Sequence, residues 1–504
     1  MSLKKNILAN YVGQIYVTLI GILLVPLYVK YMGAEAYGLV GFYAMLQGWF
    51  QLLDVGLTPT MARETSRFRG GAIDALSLRR LLRALEGFFA LIAIICGGAM
   101  MLGANFIAST WLNVQELPLH EVRNAVLLIG MIVALRWICG LYRGAINGFE
   151  RLVWLNGFNI SIATLRFAFI IPFLIYVGAS PTYFFSYQLV VAVIEVFILV
   201  VKTYRIFPKS NVARRLPWQW EPLRSVLKFS LTVAFTSAVW IFITQTDKLI
   251  LSKLLLLSDY AYFTLGVLVA SGVSVISGPI SGALLPRLTK LNAAGDDNGT
   301  LQLYRNATQM VCAIAIPTAL TLAFFSEQVL WAWTGNATVV SKAAPILTLY
   351  ALGNGILALA AFPYYLQYAK GDLKLHLVGN ALFVVFLIPM LIWSTLHFGA
   401  IGAGYAWVTA NALYFFAWIP KVHQRFASGL HTKWLLKDIS GIVCLATVCA
   451  AFLRLFLVFP EDRLQIGFLL AGIGLFILSV AVAASPFLRD KIYGAWRMRF
   501  SKFN

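Results

Sequence analysis

The sequence predicts an all-α polytopic membrane protein. Fourteen transmembrane helices form two parallel six-helix bundles, related by a pseudo-two-fold axis along the membrane normal, followed by two C-terminal helices. Three observations lead there. Of 504 residues, 60% are hydrophobic and only 12% charged, against roughly 25% charged in an ordinary soluble chain. Apolar runs recur from end to end, each near the ~20 residues that one helical crossing needs. Several features then repeat with an offset near 224 residues. The same composition excludes a large soluble catalytic domain and any long disordered tract.

Apolar runs between charged or turn-forming segments place the first six helices at 7–29, 38–56, 84–106, 123–142, 152–177 and 181–201. The other eight fall at 225–247, 260–285, 305–326, 342–366, 375–397, 400–419, 438–458 and 465–485. The opening MSLKK and its apolar run resemble a signal peptide in outline. That run exceeds an h-region of about 7–15 residues and lacks a small-x-small cleavage site, so it reads as a retained first span. Short turns at Gly178-Ala179-Ser180-Pro181 and His397-Phe398-Gly399 suit helical hairpins. Pro26, Pro172, Pro279, Pro317, Pro363 and Pro389 lie inside spans, as packing kinks or as hinges. Gly144-x3-Gly148 and Gly278-x3-Gly282 read as close helix contacts.

The net charge of +20 comes from 40 Lys and Arg against 20 Asp and Glu. In a soluble chain that excess would suggest nucleic acid; here it fits loops whose basic residues hold them in the cytosol. With the N-terminus inside, cytosolic turns gather Arg63, Arg67, Arg69, Arg79, Arg80 and Arg83, then Lys202 through Lys228, then the tail's Arg489, Lys491, Arg497, Arg499 and Lys502. By this count 31 basic residues lie inside and 6 outside. Both termini are therefore expected in the cytosol, with Trp218 and Trp220 anchoring the inner interface. Cys96, Cys139, Cys312, Cys444 and Cys449 sit in apolar runs without a CxxC, and the five histidines are scattered. No metal or other cofactor is expected.

The offset near 224 relates Arg63 to Arg287, Arg80 to Arg305, Asn156 to Asn380, Glu150-Arg151 to Asp372 and Lys374, and Tyr37 to Tyr260 and Tyr262. The expected organisation is an N-terminal bundle at 1–205, a cytosolic linker at 206–224, a second bundle at 225–437, and two added helices with a basic tail at 438–504. Six spans is an even number, so both copies begin on the same side of the membrane. Duplicated halves around a mid-depth cleft suit alternating access.

A charge at mid-bilayer costs about 2.5–3.5 kcal/mol on insertion scales and by default faces a cavity. Arg166 lies 14 residues beyond Leu152, about 21 Å along the helix. Asn156, Asn159, Ala163 and Arg166 share a sector roughly 80° wide, a polar stripe that favours cavity lining over an internal pair with Glu195. Arg136 either lines the cavity or reaches the interface, and Arg454 reads as an interfacial anchor. Lys248 follows Gln245 and Asp247 at the outer end of its span; Asp247 and Lys248 are either solvated, or Gln245 and Asp247 cap an outer gate. Asp54 and Arg63 flank the inner end of 38–56, for a salt bridge or for cargo. Asn6, Asn10 and Gln14 recur every four residues, for cargo or for interhelical bonds of about 0.6 kcal/mol. The substrate-binding candidates are thus Arg166, Arg136, Asn156, Asn159, Asn10, Gln14 and Lys248. Asp54, Arg63, Glu195, Gln245 and Asp247 are gating or structural candidates.

Local sequence adds a resemblance. VPLYVKYMGAEAYG (25–38), LLDVGLTPTMARE (52–64) and GAINGFERLVWLN (144–156) are similar to the Wzx-type polysaccharide flippases of the MOP exporter superfamily. The turn from Gly33 to Tyr37-Gly38 and the Asp54-x-Gly56 step are the most characteristic parts. The resemblance implies movement of an undecaprenyl-diphosphate-linked oligosaccharide from the inner to the outer leaflet of a bacterial plasma membrane, through a cationic cavity. It also implies membrane lipids as surroundings, a polysaccharide polymerase and a chain-length regulator as partners, and no nucleic acid. Guanidinium groups suit a diphosphate, because they donate planar bidentate bonds and stay charged when desolvated. The rivals are a lipid II flippase and a multidrug or cation antiporter of the same superfamily. The antiporter needs buried carboxylates, and Glu195 is the only acidic residue well inside a span. A membrane glycan polymerase or ligase is further off: the longest outer loops are only about fifteen residues, and Asp296-Asp297 reads as a turn.

Overall fold

Helix is the only regular structure among the described residues, apart from one isolated parallel bridge between Asn113 and Leu256. The computed structural model describes residues 3–208 and 219–491, without the side chains of 3–9, 11 and parts of 225–237 and 277–286. Trp218, Arg497, Arg499 and Lys502 lie outside the described residues, as do the side chains of Asn6, Gly278, Pro279 and Gly282. The chain divides into two compact units, Met1–Ala261 and Tyr262–Asn504.

The first unit begins with α1 (Leu3–Leu23), α2 (Val25–Met32), α3 (Ala34–Phe50) and α4 (Leu57–Arg69). Each break has a local cause. Pro26 sits in the first turn of α2, where its missing N–H costs nothing. Gly33 at φ 86 turns the chain into α3. Between α3 and α4, Val55 (φ 47) and Gly56 (φ 70) form a left-handed elbow. Asp54 caps that elbow by accepting from Thr58 N at 3.1 Å and Thr58 Oγ1 at 2.6 Å. Then come α5 (Ala75–Leu102), the single turn α6 (Ala104–Phe106), α7 (Leu119–Gly148), α8 (Leu152–Ala163), α9 (Ile170–Tyr176), α10 (Pro181–Ile206) and α11 (Glu221–Leu254). The 30-residue α7 is the organising helix and packs against α4, α5 and α10. Gly144 and Gly148 let it lie directly on the carbonyls of Thr58 and Ala62 in α4, where a methyl group would collide. Buried Glu35 in α3 accepts the backbone N–H groups of Gln115, Glu116 and Leu117 at 2.6, 2.8 and 2.7 Å, fastening the loop before α7.

The boundary between units falls within α12 (Leu257–Ala270). The second unit continues through α13 (Gly272–Ala293), α14 (Asp297–Phe324), α15 (Ser326–Thr334), α16 (Ala337–Ala360), α17 (Phe362–Ala369), α18 (Lys374–Phe398) and α19 (Ala400–Leu413). It closes with α20 (Ile419–Phe426), the short α21 (Leu430–Lys433), α22 (Gly441–Phe456) and α23 (Arg463–Ala484). Its centre is α14, which α13, α16, α22 and α23 surround. The last two helices therefore belong to this core rather than hanging free of it. Tyr304, Phe325, Phe362 and Trp434 are its largest fully buried side chains.

Each of the fourteen expected segments falls largely on helix. Among the described residues eleven helices are long and apolar enough to cross a membrane, so this is a multi-pass membrane protein. The three expected segments outside that set are 38–56, 225–247 and 400–419. Residues 38–56 end at the Asp54 elbow after a 17-residue α3, 225–247 lies within the 34-residue α11, and 400–419 passes from α19 into a π-helical turn at Tyr414–Trp418.

Candidate functional site

Within the first unit a cavity of about 500 Å³ opens among α1, α3, α7, α8 and α10. Its size lies in the range of small-molecule sites. Asn10, Gln14 and Thr18 of α1 line one wall, and Gln47 of α3 another. The remainder carries the charges: Arg136 and Arg143 of α7, Arg166 just beyond α8, and Glu195 of α10. Asn156, Asn159, Ala163 and Arg166 all reach the cavity, so the stripe on α8 continues past its end.

The lining thus holds three guanidiniums and one carboxylate, leaving two positive charges in excess. Glu195 is 2% exposed and bridges two of them, accepting from Arg136 at 3.0 Å and Arg143 at 2.5 Å. Arg136 also donates to Tyr43 Oη at 3.1 Å, which receives Gln47 Nε2 at 2.8 Å. Arg143 donates to Asn159 Oδ1 at 2.6 Å. Arg166 forms no ion pair among the described residues. Its Nε faces Gln188 Oε1 at 3.4 Å and its guanidinium lies 5.1 Å from the Phe167 ring.

The backbone that presents Arg166 is unusual. Residues Thr164–Ala168 form a π-helical turn between α8 and α9, a geometry often found at functional sites. Such a turn weakens the regular ladder, and in a membrane its carbonyls need other donors. Neighbours supply them in sequence: Tyr187 Oη donates to Leu165 O at 2.8 Å, Gln188 Nε2 to Arg166 O at 2.9 Å, and Tyr28 Oη to Phe167 O at 2.7 Å. Tyr16 adds a hydroxyl contact to Thr164 at 2.7 Å. Gln188 therefore holds Arg166 at both its backbone and its side chain.

Of the expected site residues, Arg166, Arg136, Asn156, Asn159, Asn10, Gln14 and Glu195 meet at this cavity, and Lys248 is not among its lining residues. Lys248 lies on α11, 3.6 Å from Asp247 and bonded to the carbonyl of Thr244. Gln245 packs on Gly48 of α3. Asp54 serves the elbow, while Arg63 pairs with buried Glu64 at 2.8 Å, as does Arg67 at 2.9 Å. Arg454 pairs with Glu327 at 3.6 Å. Sequence reasoning missed Arg143, Gln188 and Tyr43. Arg143 carries a signal that could have been read: it lies seven residues after Arg136, two turns along the same helix face.

Residues 3–292 match the family described as polysaccharide biosynthesis protein. A Shigella flexneri protein named "Putative O-antigen transporter" is 20% identical over 411 residues, covering 81% of this chain and 94% of its own length. Among solved structures, the lipid II flippase MurJ in an inward closed conformation superposes with TM-score 0.73 at 16% identity, covering 97% of this chain and 99% of that one. An inward-facing multidrug resistance MATE family transporter of the MOP superfamily gives TM-score 0.61 at 14% identity over 80% and 94% of the two chains. The fold is therefore that of MOP-type transporters, and these relatives are transporters and flippases rather than enzymes.

Proposed function

Because this chain belongs to the polysaccharide biosynthesis protein family, we propose that it is a flippase. It moves undecaprenyl-diphosphate-linked oligosaccharide repeat units from the inner to the outer leaflet of a bacterial plasma membrane. It does so by alternating access between two parallel six-helix bundles within fourteen crossings, both termini being cytosolic. The observation that carries this reading is the charge count of the cavity, three arginines against one glutamate.

A diphosphate in diester linkage carries about two negative charges, which meet the two excess cations with bidentate, charge-assisted bonds. The amides of Asn10, Gln14, Asn156 and Gln47 supply donors and acceptors to sugar hydroxyls. The prenyl chain stays in lipid, where burial of each methylene is worth about 0.8 kcal/mol. In a cell that is negative inside, outward movement of each negative charge gains about 2.3 kcal/mol per 100 mV. The headgroup is thus driven outward by the potential itself.

Complementation of a bacterium lacking its own flippase tests this reading, with Arg166→Ala beside Arg166→Lys. Wild-type protein restores surface polysaccharide, Lys restores part of it and Ala very little. Full export by Arg166→Ala at normal protein levels removes the proposed site. Flipping in vesicles that ignores an imposed potential removes charge movement as the drive.

A further inference from the structure

The three arginines are not equivalent. Among the described residues Arg166 has no carboxylate against it, whereas Arg136 and Arg143 share the two oxygens of Glu195. Their side chains also differ in exposure, 13% for Arg136 and 32% for Arg143. Arg136 is held from behind by Tyr43, itself braced by Gln47. Arg143 is held by the amide oxygen of Asn159, which belongs to the polar stripe of the same cavity. One guanidinium is fixed and buried. The other is half open and tied to two groups that both face the space a headgroup would fill.

From this arrangement we propose that Glu195 is an internal counter-anion that competes with the cargo's diphosphate for Arg143. The inference rests on the flippase reading above and deepens it, assigning Glu195 as a positioning residue that sets how tightly the headgroup is held. In the empty carrier, Glu195 holds Arg136 and Arg143 in place, because removing their partner would leave buried cations uncompensated. Arg166, without a carboxylate, takes the first phosphate. Arg143 then exchanges its bond to Glu195 for the second phosphate, while Arg136 stays on the carboxylate. The cavity goes from two excess positive charges to near neutrality. On release the exchange reverses, and Arg143 returns to a partner already waiting 2.5 Å from its empty-state position. No covalent bond changes and no proton moves.

The physical need for such a competitor follows from transport itself. A pathway must bind its cargo well enough to admit it and weakly enough to let it go. Three unopposed guanidiniums in a partly desolvated site would bind a diphosphate with several charge-assisted bonds and nothing to take its place. A carboxylate already in the site lowers the net gain on binding and supplies the replacement on release.

The test uses the full chain in proteoliposomes, with a fluorescent polyprenyl-diphosphate-linked N-acetylglucosamine as probe for both equilibrium binding and flipping. Glu195→Gln is expected to bind the probe about tenfold more tightly and to lower the maximal flipping rate, so that affinity rises as turnover falls. Glu195→Asp keeps the buried charge, and with it the fold, but shortens the reach of the bridge. It is expected to shift both quantities in the same directions by about threefold. If Glu195→Gln melts early, Glu195→Asp decides alone. Equal or weaker binding by a variant that melts like wild type overturns the proposal. Failure of the wild-type protein to bind the probe at all overturns the flippase reading instead, and the two failures are thereby distinct.

Discussion

Each unit contains an arginine–carboxylate cluster between helices, and the two are built to opposite ends. In the second unit, Asp438 is 1% exposed and takes Arg305 in a two-point grip, Nε at 2.7 Å and Nη2 at 2.9 Å. Gln309 completes it at 2.8 Å, and its own oxygen receives Ser485 Oγ and Phe487 N. One cation meets one anion and the polar atoms beside them are satisfied, so the cluster ties α14 to the segments around α22 and α23. In the first unit three cations meet one anion beside an open cavity. The same residue types therefore form a fastener where charge is balanced and, on the flippase reading proposed above, a receptor where it is not. Buried ionic groups are costly unless paired, so an imbalance that persists at a cavity points to a ligand that completes it.

Substitutions can break or sharpen this contrast. The largest expected effect is on function alone: Arg166→Ala should remove charge-assisted bonds worth about 1.5–3 kcal/mol. That is a loss of roughly ten- to hundredfold in headgroup affinity, read by flipping in vesicles, with the melting temperature close to wild type. Asp438→Asn should do the reverse. It leaves Arg305 without its counter-ion and costs about 2 kcal/mol, less than for a fully buried pair because Arg305 is 34% exposed. Thermal unfolding in detergent reads that loss, while probe affinity per folded molecule holds.

Gln188→Ala should fall between the two classes, losing about 1 kcal/mol of stability and part of the transport, since it frees both the carbonyl and the Nε of Arg166. Gln188→Glu, which keeps the acceptor, should recover the side-chain contact but not the backbone one. The smallest effect concerns Asp372 in the loop before α18. The backbone N–H of Lys374 and then the Arg425 guanidinium, 2.7 Å away, hold its carboxyl below the usual range. A depressed carboxylate stabilises the fold above its unfolded value of about 3.9 and loses that contribution as pH falls below it. Asp372→Asn should therefore show a slightly smaller drop in melting temperature between pH 5 and pH 3 than wild type.

The legibility of these sites in the sequence follows the same physics. Arg166 stands out because a charge amid apolar residues has few explanations, and the Asn156–Asn159 stripe pointed the same way. Arg143 did not stand out because α7 continues to Gly148, past an expected end at 142. A residue taken for loop is in fact two helical turns from Arg136. Glu195 was visible as a buried acid, but nothing in the spacing of residues 136, 143 and 195 says that it bridges two arginines; that depends on how α7 and α10 pack. Lys248 looked like Arg166 in composition, yet its partner is the neighbouring Asp247. The helices themselves were readable from hydropathy. The interruptions were not, because a π-helical turn owes its existence to donors such as Tyr28 and Gln188 that come from other helices.

That turn has a consequence for what the chain can tolerate in its length. A π-helical turn accommodates one more residue than an α-helix would hold over the same rise, so the helices on either side of it keep their phase. Loss of one residue from 164–168 would let the segment anneal into continuous α-helix with Ile170–Tyr176 facing as before. Ile170 and Leu174, shielded at 0% and 2% exposure, would stay inside. A single deletion would thus spare the buried face and remove only the bulge that presents Arg166, whereas a deletion within the regular turns of α8 would rotate everything after it by about 100°.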